Sequence, residues 1–259
     1  IIINPSLHIN VMEPLQLLLL LTVGIVAGFV NVMAGGGSAI ALPILILMGL
    51  DSTLANGTNR IAIFIQNIFA IGGFRQQKFH QFNISIKMAI CTLPGALIGA
   101  WVAVKIDDEW FQRILAIVMV GIVISMLLPR SKGKAHSEPS KVKIGFGYLA
   151  MFGVGFYGGF IQVGVGFILM ATMFHLFQMN LVHINMHKVF VIFIYTIPAL
   201  AIFIYSGNVN WILGISLATG SAIGGLIASY VTVKGGEKVI RWVLIGAILF
   251  MSGKLLAFY

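Results

Sequence analysis

Apolar residues run almost unbroken through ten stretches, at about 15–34, 38–50, 57–74, 86–104, 110–129, 144–162, 164–178, 188–205, 211–233 and 236–256, with short polar or glycine-bearing breaks between them. Where nearly every position is apolar, periodicity says little and run length decides. A helix rising 1.5 Å per residue needs about 20 apolar residues to cross a bilayer. Most of the runs meet that length, whereas the second and seventh are too short and predict half-helices or re-entrant pieces. The expected fold class is an all-α integral membrane protein with short or broken helices at segments 2 and 7.

The ten stretches divide into two copies of five. Asn56 and Asn185 lie 129 residues apart, and the same ungapped offset pairs Gly35 with Gly164, Gly37 with Gly166, Gly95 with Gly224 and Lys105 with Lys234. Between these matches, Ile63-Phe64-Ile65 falls on Ile192-Phe193-Ile194. Polar and glycine matches in one register exceed what two apolar segments share by chance. The sustained hydrophilic stretch at 130–143 sits where the first copy ends. This predicts a tail at 1–14, a first membrane repeat at 15–129, a linker at 130–143 and a second repeat at 144–259.

Composition agrees with the bilayer reading. Hydrophobic residues make up 59% of the chain and charged residues 9%, against about 25% charged in soluble domains. The net charge of +9 would suggest nucleic acid in a soluble protein, but the basic residues gather at segment ends, where they act as orientation signals. No nucleic-acid role is expected. Arg75, Lys78 and Lys87, the linker, and Lys234, Lys238 and Arg241 mark cytoplasmic loops. The 105–109 loop, with Asp107, Asp108 and Glu109, and the uncharged 206–210 loop are expected outside. Equivalent loops then fall on opposite faces, so the repeats are expected to be inverted, with both termini outside a cell inner (plasma) membrane. No signal peptide is expected, and the lone Cys91 builds no disulfide.

Two constellations could carry chemistry. Gly35-Gly36-Gly37 opens the first short segment and Gly164-Val165-Gly166 opens its copy; glycine costs about 1 kcal/mol relative to Ala in a helix, so the backbone is expected to break there. Broken helices are tolerated in a membrane where they line a cavity or are buried in protein, and their N-terminal ends suit an anion. The second constellation is Asn56, Thr58, Asn59 and Arg60, matched by Asn185, His187 and Lys188. Arg60 and Lys188 are cations expected near the midplane, a costly position that points to function; the bland alternative is that both snorkel to the headgroups. All seven acidic residues sit in tails, loops or segment ends, so no carboxylate is placed to bind a cation. The expected substrate is a small anion.

Proton coupling, if present, falls to His187, His183 or His175. His183 and His187 stand four residues apart, but no Cys, Asp or Glu accompanies them, so no metal site is expected. Neither a phosphate loop nor a dinucleotide fingerprint is present, so no cofactor is expected, and no HExxH or paired carboxylate suggests an enzyme.

Gly28 through Leu45, GFVNVMAGGGSAIALPIL, resembles the glycine-rich signature of the sulfite exporter TauE/SafE family, with Pro43 and Leu45 in its closing Pro-x-Leu. Ala55 to Asn59 is similar to that family's Ala-x-x-Thr-Ser-like element, and a degraded second signature spans Gly155 to Met170. The resemblance implies transport of sulfite, sulfoacetate or a related organosulfonate, usually outward, with Gly35, Gly36, Gly37, Thr58 and Asn59 on the first-half motif. Two departures stand out: Val165 interrupts the second triplet, and His187-Lys188 replaces a small hydroxyl pair. The expected function is therefore a secondary transporter of a sulfur oxyanion, working by alternating access at the repeat interface. An anion channel and a non-transporting assembly or receptor subunit are the alternatives. The oligomeric state is left open.

Overall fold

The computed structural model describes residues 14–79, 81–127 and 141–257. Most of the expected tail and linker lies outside these residues; Pro14 opens the first helix and Lys141 the sixth. Among the described residues the chain is helical throughout, as α1 (Pro14–Ala34), α2 (Ser38–Leu47), α3 (Ser52–Gln76), α4 (Phe82–Ala103), α5 (Asp108–Leu127), α6 (Lys141–Phe160), α7 (Val165–His175), α8 (Leu181–Tyr205) and α9 (Trp211–Ala257). The last element joins the ninth and tenth expected segments, and Gly236, at φ 60° and ψ −164°, breaks it between them. Among the described residues, four stretches are long and apolar enough to cross a membrane: Pro14–Ala34, Asn83–Ala103, Leu181–Tyr205 and Trp211–Val243. The two short segments are helices of 10 and 11 residues.

The halves are interleaved. Helix α1 packs most extensively on α9 and α4 on α6, while α3 lies along α9 and α8 along α4. Glycines make the first two contacts close. A Cβ at Gly24 or Gly28 would strike the backbone around Leu217 and Ser221, one at Gly220 or Gly224 the carbonyls of Leu21 and Ile25, and one at Gly95 or Gly99 the backbone of α6. Small residues spaced four apart thus seat one backbone against another, as expected where lipid offers no hydrophobic drive for association. Large apolar side chains such as Leu18, Ile117, Leu149 and Ile212 face outward, together with all four tryptophans, Trp101, Trp110, Trp211 and Trp242. That outer surface is apolar because its solvent is lipid.

Backbone conformation also repeats. Left-handed φ occurs at Gly35 and Gly164, at Gly49 and Gln178, and at Lys78 and Gly207, and each pair is separated by the same 129 residues as Asn56 and Asn185. Two carboxylates follow suit. Asp108 Oδ1 accepts from the Thr53 amide at 3.3 Å and Glu237 Oε1 from the Leu181 amide at 3.0 Å. Each also accepts from the side chain one turn ahead, Gln112 on Asp108 and Arg241 on Glu237. An acceptor in the first turn satisfies an orphan helix donor and complements the helix dipole, so α3 and α8 are each capped in their first turn by a carboxylate from a distant helix, Asp108 on the second residue of α3 and Glu237 on the first of α8.

Candidate functional site

Helix α1 ends at Ala34 and α2 starts at Ser38, so the break expected at the glycine triplet is present. Its copy lies between Phe160 and Val165, with Gly164 left-handed at φ 71°. Residues 31–38 and 161–167 are buried throughout. The two breaks touch. A Cβ at Gly35 would land on the backbone of Gly166 and Phe167, and one at Gly166 would land on Gly35. Only glycine at both positions lets the two backbones meet.

Each break presents a helix C-terminus with spare carbonyls and a helix N-terminus with spare amides. The carbonyl ends are filled by the protein. Asn56 Nδ2 donates to the Phe160 carbonyl at 2.8 Å, Arg60 Nη1 to that of Gly158 at 3.1 Å, and Nη2 to those of Gly159 and Phe160. Across the contact, Asn185 Nδ2 donates to the Met33 carbonyl at 3.2 Å, and Lys188 Nζ donates to the Val32 carbonyl and to Asn185 Oδ1, each at 2.8 Å. Arg60 and Lys188 are 0% exposed, so neither snorkels to a headgroup. Arg60 also lies over the Phe203 ring, 4.5 Å from its centre. Each cation therefore caps the C-terminal end of the other half's first helix, where the macrodipole is negative.

The amide ends are different. The backbone N–H groups of Gly36, Gly37 and Ser38, and of Gly164 and Gly166, have no acceptor among the described residues. Buried side-chain atoms around the two clusters are also unpartnered: Asn56 Oδ1, Asn59 Nδ2, Arg60 Nε, Gln162 Oε1 and Tyr195 Oη. An unmade buried hydrogen bond costs about 1–3 kcal/mol.

Thr58 and His187, equivalent in the repeat, both tie a core helix to an element of the opposite half. Thr58 Oγ1 accepts from the Asn210 amide at 2.9 Å, and His187 Nδ1 lies 2.7 Å from Ser85 Oγ on α4. No hydrogen bond among the described residues joins the 56–60 cluster directly to the 185–188 cluster; each reaches the opposite half's break instead. His183, the expected companion of His187, has its Nδ1 on Asn180 Oδ1 at 2.8 Å. Sequence reasoning passed over Ser85 and Tyr195, which sit in apolar runs with no local mark. It also read Asp108 and Glu237 only as loop charges, although their 129-residue separation was visible.

The chain matches the family described as "Sulfite exporter TauE/SafE" over residues 20–255. It is 25% identical to a probable membrane transporter protein of Haemophilus influenzae over 92% of this chain and 94% of the relative. It is 27% identical to the probable membrane transporter protein YfcA of Escherichia coli K12 over 94% and 91%, and 24% identical to the probable membrane transporter protein ORF9 of a Sinorhizobium species over 90% and 89%. No solved structure matches. The names of these relatives describe transporters, not enzymes, and a match over nearly the whole chain, on a helical fold built around two touching breaks, makes this chain a membrane transporter of the TauE/SafE family.

Proposed function

We propose that the chain is a secondary transporter of a small sulfur oxyanion, such as sulfite, sulfoacetate or a related organosulfonate, bound where the two glycine breaks meet. One observation carries the polarity. Both carbonyl ends at the breaks are already occupied by Arg60, Asn56, Lys188 and Asn185, whereas the amides that open α2 and α7 have no acceptor among the described residues. A cation would find Asn56 Oδ1 and Gln162 Oε1 but not the carbonyls of Val32, Met33, Gly158, Gly159 and Phe160, which are taken; an oxyanion would find donors at two helix N-termini. Gly35, Gly36, Gly37, Gly164 and Gly166 supply backbone, and the unpartnered Asn59 Nδ2 adds a side-chain donor. Arg60 and Lys188 hold the breaks open and lend positive charge.

The family's description as sulfite exporters supports the sulfur oxyanion and outward movement. The paired left-handed positions and the two carboxylate caps support two equivalent halves. With the charge asymmetry of the loops, the reading is inverted halves in the cell inner membrane, both termini outside, rocking about the Gly35–Gly166 contact.

Thermal stabilisation of the purified protein tests this, using sulfite, sulfate, thiosulfate, sulfoacetate, phosphate and chloride on the native chain and on Asn59→Leu. A ligand at about 100 times its Kd adds about 2.7 kcal/mol. The expected result is a shift with a sulfur oxyanion that weakens at least tenfold in Asn59→Leu. No shift with any anion overturns the reading.

A further inference from the structure

We infer that the transporter is coupled to protons and that His187 carries the proton, with Ser85 as its positioning residue; the inference rests on the transport reading above. His187 and Ser85 are 0% and 1% exposed. Ser85 Oγ stands 2.7 Å from His187 Nδ1 and 3.3 Å from the Gln81 carbonyl oxygen. A carbonyl can only accept. With the Ser85 hydroxyl turned to the Gln81 carbonyl, it accepts from Nδ1–H and Nε2 is the basic nitrogen. Nε2 has no hydrogen-bond partner among the described residues. A proton can join or leave there without turning the ring or breaking its bond to Ser85.

A small crevice adjoins Ser85. This crevice of about 10 Å³, on the order of one water, is lined by Ile71, Phe74, Gln81, Ser85, Met186 and Val189. Gln81 is exposed at the start of α4. The crevice thus lies between Gln81 and the residues Met186 and Val189 near His187.

The titratable and charged groups facing His187 are engaged elsewhere or exposed. On its own helix, His183 is bonded to Asn180 and Lys188 donates to the Val32 carbonyl. From α3, Arg60 reaches α6 and Arg75 is exposed. From α4, Lys87 is exposed. From α9, Glu237 is engaged by the Leu181 amide and Arg241. From α7, His175 is exposed against Phe174. From α6, Tyr157 donates to the Val163 carbonyl.

The repeat sharpens the point. The equivalent position in the first half is Thr58, held by the Asn210 amide and unable to titrate near neutrality. One of two matching ties between the halves is protonatable and the other is not.

The test uses proteoliposomes of the full chain with sulfoacetate, whose acid groups do not titrate near neutrality, and with the membrane potential clamped. Counterflow measures exchange, while accumulation under a pH step of one unit, in each direction, and an internal pH dye measure coupling. One proton per anion sustains up to about a tenfold gradient per pH unit. His187→Asn keeps an amide where Nδ1 stands but cannot titrate; its ratio of pH-driven accumulation to counterflow should fall about tenfold, with loss of the dye signal. Ser85→Ala keeps the imidazole and should retain the dye signal with a displaced pH profile. Native protein that exchanges sulfoacetate without proton movement overturns the coupling and spares the transport reading, as does His187→Asn with native coupling. Absence of counterflow for sulfoacetate and every other anion overturns both. If His187→Asn does not fold, the Ser85→Ala profile decides, and an undisplaced profile overturns the role of the pair.

Discussion

Phe64 and Phe193 stack on one another, with ring centres 5.3 Å apart and planes 19° apart, and they are the same residue of the two repeats. Offset aromatic pairs contribute about 0.5–1.5 kcal/mol beyond the area they bury. A double-mutant cycle on Phe64→Leu and Phe193→Leu, read by denaturation in detergent, should return a coupling energy in that range. Strict additivity would mean that the rings do not act as a pair.

Gly35→Ala should be far more damaging than Gly49→Ala. Both glycines have left-handed φ, 87° and 92°, so both substitutions incur about 1–2 kcal/mol of backbone strain. A Cβ at Gly49 meets nothing within 4 Å, whereas one at Gly35 meets the backbone of the other break. The expected loss for Gly35→Ala exceeds about 4 kcal/mol, in the range of overpacked cores. Comparing the two variants in thermal melts separates strain from collision.

Arg60→Met should destabilise by about 3 kcal/mol or more, since it strips donors from the carbonyls of Gly158, Gly159 and Phe160, and hydrogen bonds to charged groups contribute about 1.5–3 kcal/mol each. Arg60→Lys should recover less than half, because an ammonium cannot span neighbouring carbonyls as a planar fork does. Unfolding of the three proteins in parallel checks the order native, Lys, Met.

Asp108→Ala and Glu237→Ala should each cost about 1 kcal/mol, the usual loss of a helix cap. Asp108→Asn should cost only a few tenths, since Asn caps as well as Asp. Equal losses for Asn and Ala at position 108 would assign the effect to charge instead of capping.

Much of the architecture was legible in the chain because run length and glycine placement are local signals. The breaks after Ala34 and before Val165, and the short second and seventh segments, follow from residues that cannot hold a helix and runs too short to span. The two ends of the final element were legible as separate segments; Gly236 divides them while helix continues on both sides. The wiring of the site was not legible. Arg60 was marked by its depth in an apolar chain, but its partners are backbone carbonyls on α6, which any sequence could supply. Ser85 became informative only when folding brought it to His187. The caps at 108 and 237 were visible as a repeat of acid on acid, yet charge in a loop reads first as topology.

The interleaving of the halves bears on how the chain is made. Helix α1 has its main partner in α9, which begins at Trp211. At about 5–20 residues per second, roughly 10–35 seconds of synthesis separate the completion of the first from the start of the second. During that interval the glycine face of α1 lies bare to lipid, or to any other helix in the translocation machinery. The first five segments therefore cannot mature as a folded unit ahead of the rest, and the protein assembles only after nearly all of it has left the ribosome.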